Sequence, residues 1–204
     1  PLLGESLHEQ IAVTATIDLD GVDNFSGSTS ITGHGYMLYD GPHRAQRAGC
    51  LIESWNVPSL RLEQSKWRQR LVLKFMFEDL PQPHNHVRLD PHNPQRPETV
   101  YHHHSDYAQR GIDSLEENLP KLLSSLPIEH VDLNPLPSAT ENHILGTVPM
   151  GTDPHRSIID RYLIHHQVRN LLVLGGSAFP TSSPSNPTLT LSALSLWAAD
   201  HLLS

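Results

Sequence analysis

The chain has 204 residues, of which 37% are hydrophobic and 18% charged, and this composition is typical of a globular protein with one large domain or two small ones. The formal net charge of -8 argues against a nucleic-acid or anionic-membrane partner, and the single cysteine, Cys50, excludes an internal disulfide and a cysteine metal cluster. No apolar run approaches the length of a membrane span. Because the sequence begins at Pro1 without an initiator methionine, we expect a longer gene product. We also expect a soluble protein, in either the cytoplasm or the periplasm.

Short strand patterns dominate the first half of the chain. Residues 11–18 are rich in β-branched side chains and predict a strand. Residues 21–67 are rich in glycine, serine and other polar residues and predict a loop-rich insertion. Residues 70–80 alternate in a way that gives one strongly apolar strand face.

Two further strands are predicted downstream, at residues 87–89 and 100–104, with a proline-rich turn over residues 90–97. Together with residues 70–80 they predict an antiparallel meander. Residues 107–126 carry leucine and isoleucine on one side and predict a helix. Strands and helices joined in this order favour an α+β fold.

The C-terminal region predicts a strand, a tight turn and a helix. Residues 171–174 are an apolar run that ends at Gly175-Gly176, where backbone can approach a ligand. Asn186-Pro187 then opens a helix in the preferred order, with a capping residue followed by proline. Apolar residues on nearly every face of this helix predict that it is buried. Two interpretations of its N-terminus are open. It points at an anion or at a carbonyl that becomes anionic, or the helix is an ordinary capped core helix.

His143 is the candidate for proton transfer. It lies three residues before Gly146-Thr147, and glycine there permits close backbone packing, which would hold the histidine on a fixed turn. A neutral imidazole is the natural general base for an alcohol proton, although a hydrogen-bonded core histidine is the simpler interpretation of the residue alone.

The histidine clusters at 84–86, 102–104 and 165–166 suggest a metal site, which is a separate hypothesis. Adjacent strand residues point to opposite faces, so a run of three histidines offers at most two ligands to one ion. Neither a zincin glutamate spacing nor a second cysteine is present in the sequence, and we predict no native metal site.

The order of these C-terminal motifs resembles that of the glucose–methanol–choline (GMC) family of flavin oxidoreductases. The matching motifs are His143-x-x-Gly146-Thr147-x-x-Met150-Gly151, then Ile159-Asp160, then NLLVLGGSAFPT, then Asn186-Pro187-Thr188-Leu189-Thr190. Among the family's branches, these motif sequences are most similar to those of the bacterial sugar and polyol dehydrogenases and of pyranose oxidase. Residues 80–90 resemble the family's L-P-x-x-x-N-x-V-x-L strand pair, and residues 3–10 resemble its G-x-x-L-x-D-H segment, with Glu9-Gln10 in place of the usual last pair.

The resemblance implies roles for particular residues. His143 would be the catalytic base and Asn186 its partner, which orients the substrate oxygen while hydride passes from a CH–OH carbon to flavin N5. Gly175, Gly176 and Ser177 would approach the FAD. Pro187 and Thr188 would start the helix whose N–H groups face the flavin carbonyl that becomes negative on reduction.

The resemblance also implies a domain organisation. Residues 1–142 would be the substrate-binding domain, an antiparallel sheet flanked by helices, and residues 143–204 a catalytic segment that returns the last strand and helix to the FAD-binding domain. The family's G-x-G-x-x-G nucleotide-binding unit does not occur in this sequence. We therefore expect an N-terminal FAD-binding chain or segment as partner, a sugar or other alcohol as substrate, and oxygen, a quinone or a redox protein as electron acceptor.

A non-catalytic scaffold or interaction subunit that keeps the same fold is the alternative to an enzyme. The presence of both His143 and Asn186 favours the enzyme. We also expect the chain on its own to aggregate or to bind hydrophobic dye and to retain no FAD, because its last helix has no consistent polar side.

Overall fold

The computed structural model describes residues 2–25, 27 and 31–204, with only the backbone of Thr32. The chain divides into two compact units, each made of separate stretches. The loop unit comprises Pro1–Gln10, Asp79–Ser105 and Thr140–Ser204, and the sheet unit comprises Ile11–Glu78 and Asp106–Ala139. The chain crosses between the units at positions other than residue 143, so the functional division at that residue stays a prediction. None of the helices in these ranges has both the length and the apolarity to cross a bilayer.

The sheet unit contains a five-stranded antiparallel sheet in the order β2-β3-β4-β1-β7. Its strands are β1 Ile11–Leu19, β2 Ile31–Leu38, β3 Cys50–Trp55, β4 Arg70–Phe77 and β7 Ile128–Asn134. Every second residue of the central strands faces a core in which Ile17, Phe75 and Phe77 are fully buried. The helices α1 Asp106–Asp113 and α2 Leu115–Leu122 cover this face with the apolar side chains that the sequence places on one side. The α+β class and the antiparallel sheet flanked by helices are confirmed.

The prediction of a loop-rich insertion at residues 21–67 is wrong where β2 and β3 lie. β3 is a central strand whose apolar run is interrupted by the buried Glu53. β2 is an edge strand that pairs Gly33 with Ser54 and Gly35 with Ile52, so its small and polar residues hide the strand pattern. Ser26 and residues 28–30 of this interval lie outside the described residues.

The single helix predicted over residues 107–126 is two helices, α1 and α2. The hydroxyl of Ser114 donates to the carbonyl of Gly111 at 2.7 Å. This local bond competes with the helical bond to the same carbonyl. The interruption is confined to Ser114, whose N–H still donates to the carbonyl of Arg110 at 3.2 Å.

In the loop unit, β5 His86–Asp90 and β6 Asn93–Val100 form a two-stranded hairpin. The meander prediction is therefore wrong in three ways: β4 belongs to the other unit, the proline-rich stretch is itself a strand, and the strand predicted at residues 100–104 is absent because β6 ends at Val100. Pro97 pairs opposite Leu89, and proline is tolerated here because a strand with a single neighbour leaves its outer N–H positions unpaired. The tight turn is held by the Asp90 carboxylate, which accepts a bond from the N–H of His92 at 2.8 Å.

The C-terminal stretch differs from its prediction at both elements. Within the described residues, 171–174 form no ladder, and Leu172 makes an isolated bridge with Ile164. An apolar run becomes a strand only where a neighbouring strand supplies a ladder. The final helix, α3 Thr188–Leu203, is present but mostly exposed, with Ala198 as its buried residue. It packs one narrow face through Leu194 and Ala198 on Ile159 and Leu163, and this contact leaves the rest of its apolar surface uncovered.

Candidate functional site

The His143 segment lies between two other backbone segments of the loop unit. On one side His8 and Leu145 exchange N–H to carbonyl bonds of 3.0 and 2.8 Å, and the N–H of Gly4 donates to the carbonyl of Thr147 at 2.8 Å. Gly146 has a φ of +88°, and a Cβ there would lie 2.1 Å from the carbonyl oxygen of Ser6. The glycine of the H-x-x-G-T motif is therefore required for close backbone packing, as its position in the sequence suggests.

On the other side, the segment meets the glycine turn at residues 175–178. The N–H groups of Gly146, Val148 and Met150 donate to the carbonyls of Gly176, Ser177 and Ala178 at 2.9–3.2 Å. A Cβ on Gly176 would lie 2.5 Å from the carbonyl oxygen of Ile144, so this glycine is needed by the chain's own backbone. Gly175 differs: its φ is +100°, and no described atom lies within 4 Å of the place its Cβ would take. Of the two glycines, Gly175 is the one that leaves room for a ligand.

Gln10 joins His143 to the loop that carries Asn186. Its side-chain oxygen Oε1 lies 2.6 Å from Nδ1 of His143. Its amide nitrogen Nε2 donates to the carbonyl oxygens of Ser183 at 2.5 Å and Ser185 at 2.8 Å. Gln10 is 1% exposed, whereas His143 is half-buried and Asn186 is exposed. The two predicted catalytic residues are thus attached, one directly and one through its neighbour in sequence, to the same buried amide.

Glu9 fixes the residues that lead into His143. Its carboxylate oxygen Oε2 accepts bonds from the hydroxyl of Thr140 at 2.8 Å and from the N–H of Glu141 at 3.1 Å. The Thr140 hydroxyl in turn accepts from the N–H of Asn142, a residue with a φ of +60°. These contacts hold a turn that places His143 beside Gln10.

Asp79 fixes the other end of the Asn186 loop. Its backbone N–H donates to the hydroxyl of Ser182 at 2.9 Å, and that hydroxyl donates to the Asp79 carbonyl at 2.8 Å. The carboxylate is fully buried and accepts from the N–H and the hydroxyl of Ser105 and from the N–H of Leu80. His104 Nδ1 lies 3.0 Å from its second oxygen.

The start of α3 differs by one residue from its predicted start. Pro187, not Asn186, occupies the capping position, and the proline side chain makes no capping hydrogen bond. Pro187 is buried, while Thr188 is exposed at the first turn. The sequence assigns two roles to Asn186, capping and substrate contact, and the structure removes the first.

The histidine clusters have separate local roles. His84 packs against the rings of His102 and His103, His166 Nε2 lies 2.8 Å from the hydroxyl of Ser157, and His165 Nδ1 accepts from backbone N–H groups. Among the described residues, no three histidine, cysteine, aspartate or glutamate side chains are grouped so that they could hold a metal ion.

Three residues that support the site were not singled out by sequence reasoning: Gln10, Asp79 and Ser182. They are far apart in the sequence, and none belongs to a motif of spaced catalytic residues. The one available signal was the Glu9-Gln10 pair, which stands where the family motif has D-H.

The chain matches known proteins over most of its length. A profile described as GMC oxidoreductase matches residues 81–195, which is more than half of the chain. The fructose dehydrogenase large subunit of Gluconobacter japonicus is 31% identical over 174 residues, which are 81% of this chain and 32% of that protein. The 2-methyl-1,2-propanediol dehydrogenase of Mycolicibacterium austroafricanum is 34% identical over 140 residues, which are 64% of this chain and 25% of that protein. The chain therefore spans about a third or less of the length of these two curated relatives.

A solved structure shares the fold. The crystal structure of pyridoxine 4-oxidase from Mesorbium loti aligns with 100% of this chain and 44% of its own, with a TM-score of 0.64 and 17% identity. The family profile covers the H-x-x-G-T segment, the glycine turn and the start of α3, so the resemblance inferred from these motifs is confirmed. The chain belongs to the GMC oxidoreductase family, in which dehydrogenases and oxidases act on sugars or alcohols.

Proposed function

We propose that this chain carries the proton-transfer site of an FAD-dependent enzyme that oxidises a CH–OH group of a sugar or another alcohol. Its family membership supports the reaction class. The names of its relatives, a fructose dehydrogenase subunit and a propanediol dehydrogenase, support a polyhydroxylated substrate. The observation that carries the proposal is that one buried side chain, Gln10, contacts both Nδ1 of His143 and the backbone carbonyl that precedes Asn186, so the two predicted catalytic residues belong to one site.

His143 removes the hydroxyl proton. A neutral imidazole whose Nδ1 carries the hydrogen has its lone pair on Nε2, and general-base catalysis of this kind contributes about 10²- to 10⁴-fold to a rate. Half-burial of the ring suits this role, since the base must meet a substrate and still be held in place.

Asn186 orients the oxygen that loses the proton. It is exposed, it follows directly on Ser185, and Pro187 rather than Asn186 takes the capping position of α3. Its amide can donate to an alcohol oxygen and keep the hydroxyl directed at the base.

The residues of the glycine turn and of the α3 start fit a flavin. Gly175 leaves open space beside a left-handed backbone, and Ser177 follows it in the same turn. Pro187 and Thr188 begin a 16-residue helix whose positive end favours a developing negative charge. Gly176 remains part of the proposed flavin site, but its lack of a side chain is already explained by the nearby carbonyl oxygen of Ile144. When bound, FAD supplies the hydride acceptor.

The proposal includes partners. The adenosine and pyrophosphate contacts of FAD are assigned to an N-terminal FAD-binding chain or segment, and the reduced flavin is reoxidised by oxygen, a quinone or a redox protein. The name of one relative, a large subunit, supports an enzyme of more than one chain.

The test is flavin reduction by substrate in the flavin-loaded enzyme that contains this chain. His143→Ala is expected to slow reduction by at least about 10²-fold with unchanged flavin content, because the base is lost and the fold is kept. His92→Ala, in the exposed hairpin turn, is the matched control and is expected to reduce its flavin at the wild-type rate.

Asn186→Ala is expected to slow reduction as well, by about tenfold or more, since the substrate oxygen is held less well. Wild-type reduction rates in both variants would refute the proposal. They would favour the alternative, a non-catalytic subunit that keeps the GMC fold.

A further inference from the structure

We propose that Gln10 is the positioning residue that decides which ring nitrogen of His143 carries the proton, and that it thereby makes Nε2 the basic atom. The inference rests on the proposed role of His143. It adds the physical reason why the imidazole is present in the one neutral form that can accept an alcohol proton at Nε2.

The first step is the orientation of the Gln10 amide. Its NH₂ group lies 2.5 Å from the carbonyl oxygen of Ser183 and 2.8 Å from that of Ser185. Backbone carbonyls only accept hydrogen bonds, so the group facing them has to be the donor. The oxygen Oε1 is then the atom that faces His143.

The second step is the protonation of His143. An amide oxygen only accepts, so the imidazole nitrogen 2.6 Å away has to donate, and Nδ1 carries the hydrogen. In the neutral ring the lone pair is consequently on Nε2. Two main-chain carbonyls thus determine the tautomer of the base through a single amide.

The third step is the rigidity of the amide. Gln10 is 1% exposed, so water does not compete for its hydrogen bonds, and buried hydrogen bonds are stronger than exposed ones. The preceding residues are also held: His8 pairs with Leu145 through the backbone, and Glu9 binds Thr140 and Glu141. Rotation of the Gln10 side chain would break its hydrogen bonds to two carbonyls and to a ring nitrogen at once.

The fourth step concerns Asn186. The carbonyl of Ser185 belongs to the peptide group that precedes Asn186, so Gln10 supports the loop as well as the base. A change at Gln10 is therefore expected to disturb both partners of the proposed proton transfer. In this family's motif the position is held by histidine, whose ring can also accept with one nitrogen and donate with the other.

The experiment measures the tautomer and the rate in the flavin-loaded enzyme labelled with ¹⁵N-histidine. The signals of His143 are identified by their loss in His143→Ala. In the wild type we expect Nδ1 to have the shift of a protonated nitrogen and Nε2 that of an unprotonated one. Gln10→Met keeps the length of the side chain but removes the acceptor and the donors. In that variant we expect a mixed or reversed tautomer and a flavin reduction rate at least about tenfold lower.

Two further variants complete the design. Gln10→His, with one acceptor and one donor, is expected to recover part of the rate and the wild-type tautomer. Gln167→Met, at an exposed position of the same unit, is expected to change neither quantity.

The outcomes separate this inference from the proposed function. A wild-type His143 that is protonated on Nε2 overturns the inference by itself, whether or not Gln10→Met folds. It is equally overturned if Gln10→Met reduces its flavin at the wild-type rate, or is slow with an unchanged tautomer. If His143→Ala is slow in any of these cases, the proposed function stands without the inference. If His143→Ala is as fast as the wild type, the proposed function fails first.

Discussion

In the sheet unit the largest fully buried side chains are apolar, Phe75, Phe77, Ile17, Met76, Leu115 and Val13, whereas those of the loop unit include four polar ones, His8, Gln10, Asp79 and Asn85. The sheet unit gains order from strand ladders and a covered apolar face. The described residues of the loop unit form a hairpin, the helix α3 and a short 3-10 turn at Gly176–Ala178. Hydrogen bonds between backbone segments, and from buried side chains to the backbone, hold the loops between these elements.

This difference matches what each kind of interaction can specify. Apolar burial is strong but non-directional, so it stabilises a scaffold without aiming any one side chain. Hydrogen bonds have preferred angles and distances, so a buried amide such as Gln10 can fix the orientation of His143. Variants in the two units test this comparison, and the largest effect on stability is expected in the apolar core.

Phe75→Ala tests the apolar core. Removal of a fully buried phenyl ring leaves a cavity, and the free energy of opening of β1 and β4 is expected to fall by about 3–5 kcal/mol. Hydrogen exchange of the amides in these strands measures it. Leu62→Ala, at a side chain that is 99% exposed, is the control and should change the same free energy by less than about 0.5 kcal/mol. Equal effects of the two variants would contradict the assignment of the core.

Asp79→Ala tests the polar scaffold. The change removes the acceptor of two N–H groups, the buried one of Ser105 and the partly buried one of Leu80, at a cost of roughly 1–3 kcal/mol in the local free energy of opening. Faster hydrogen exchange at these two amides is the measurement. The control is Asp200→Ala on the exposed side of α3, which should stay within about 0.5 kcal/mol of the wild type. No change in Asp79→Ala would mean that the loop unit does not depend on this carboxylate.

His8 gives the loop unit a predicted sensitivity to acid. Burial lowers the pKa of His8, against a hydrogen bond from Nδ1 to the Ser6 carbonyl and the charge of Asp79, which raise it. The backbone of Thr181 raises this pKa as well, but burial is the largest effect. With a folded-state pKa below the unfolded one, the unfolded state binds the proton first. The contribution of neutral His8 to the free energy of unfolding is therefore fully present above the ordinary histidine pKa near 6.5. It is lost as pH falls below that value toward the pKa of His8 in the folded state.

The variant His8→Asn keeps a donor for Ser6 and does not titrate. The drop in thermal midpoint between pH 7 and pH 5 is expected to be smaller in this variant than in the wild type. An equal drop would assign the acid sensitivity to other groups. His155→Asn, at an exposed histidine, is the control and should keep the wild-type drop.

Leu196→Lys on α3 should have the smallest effect on stability. The side chain is 73% exposed, and Leu189 and Leu203 on the same helix are 83% and 89% exposed. We expect a change in folding free energy within about 0.5 kcal/mol, but less binding of a hydrophobic dye by the chain expressed alone. Ala193→Lys, at an exposed small residue, is the control for added charge. Unchanged dye fluorescence in Leu196→Lys would show that the dye binds elsewhere.

Local patterns alone were sufficient for the α+β class, the β1 and β4 strands, the apolar side of α1 and α2, and the motifs that identify the family. These features depend on periodicity or on residues close in sequence, such as the three-residue spacing from His143 to Gly146. Other features depended on which segments lie beside each other in space. These are the strands β2 and β3 within residues 21–67, the proline-containing strand β6, and the absence of a strand ladder at residues 171–174.

The site shows the same division most clearly. The sequence by itself placed His143 and Asn186 in separate motifs of one family, with Gly146 after the first and Gly175-Gly176 before the second. Only the tertiary structure showed that a side chain at residue 176 would collide with the carbonyl oxygen of Ile144. At Gly175, by contrast, no described atom lies within 4 Å of the place a Cβ would take. Only the tertiary structure placed Gln10 in contact with both His143, which is 133 positions away in the chain, and Ser185, which is 175 positions away. The physical reason is that a hydrogen bond requires two groups to meet in space, and no spacing rule connects residues brought together by separate backbone segments.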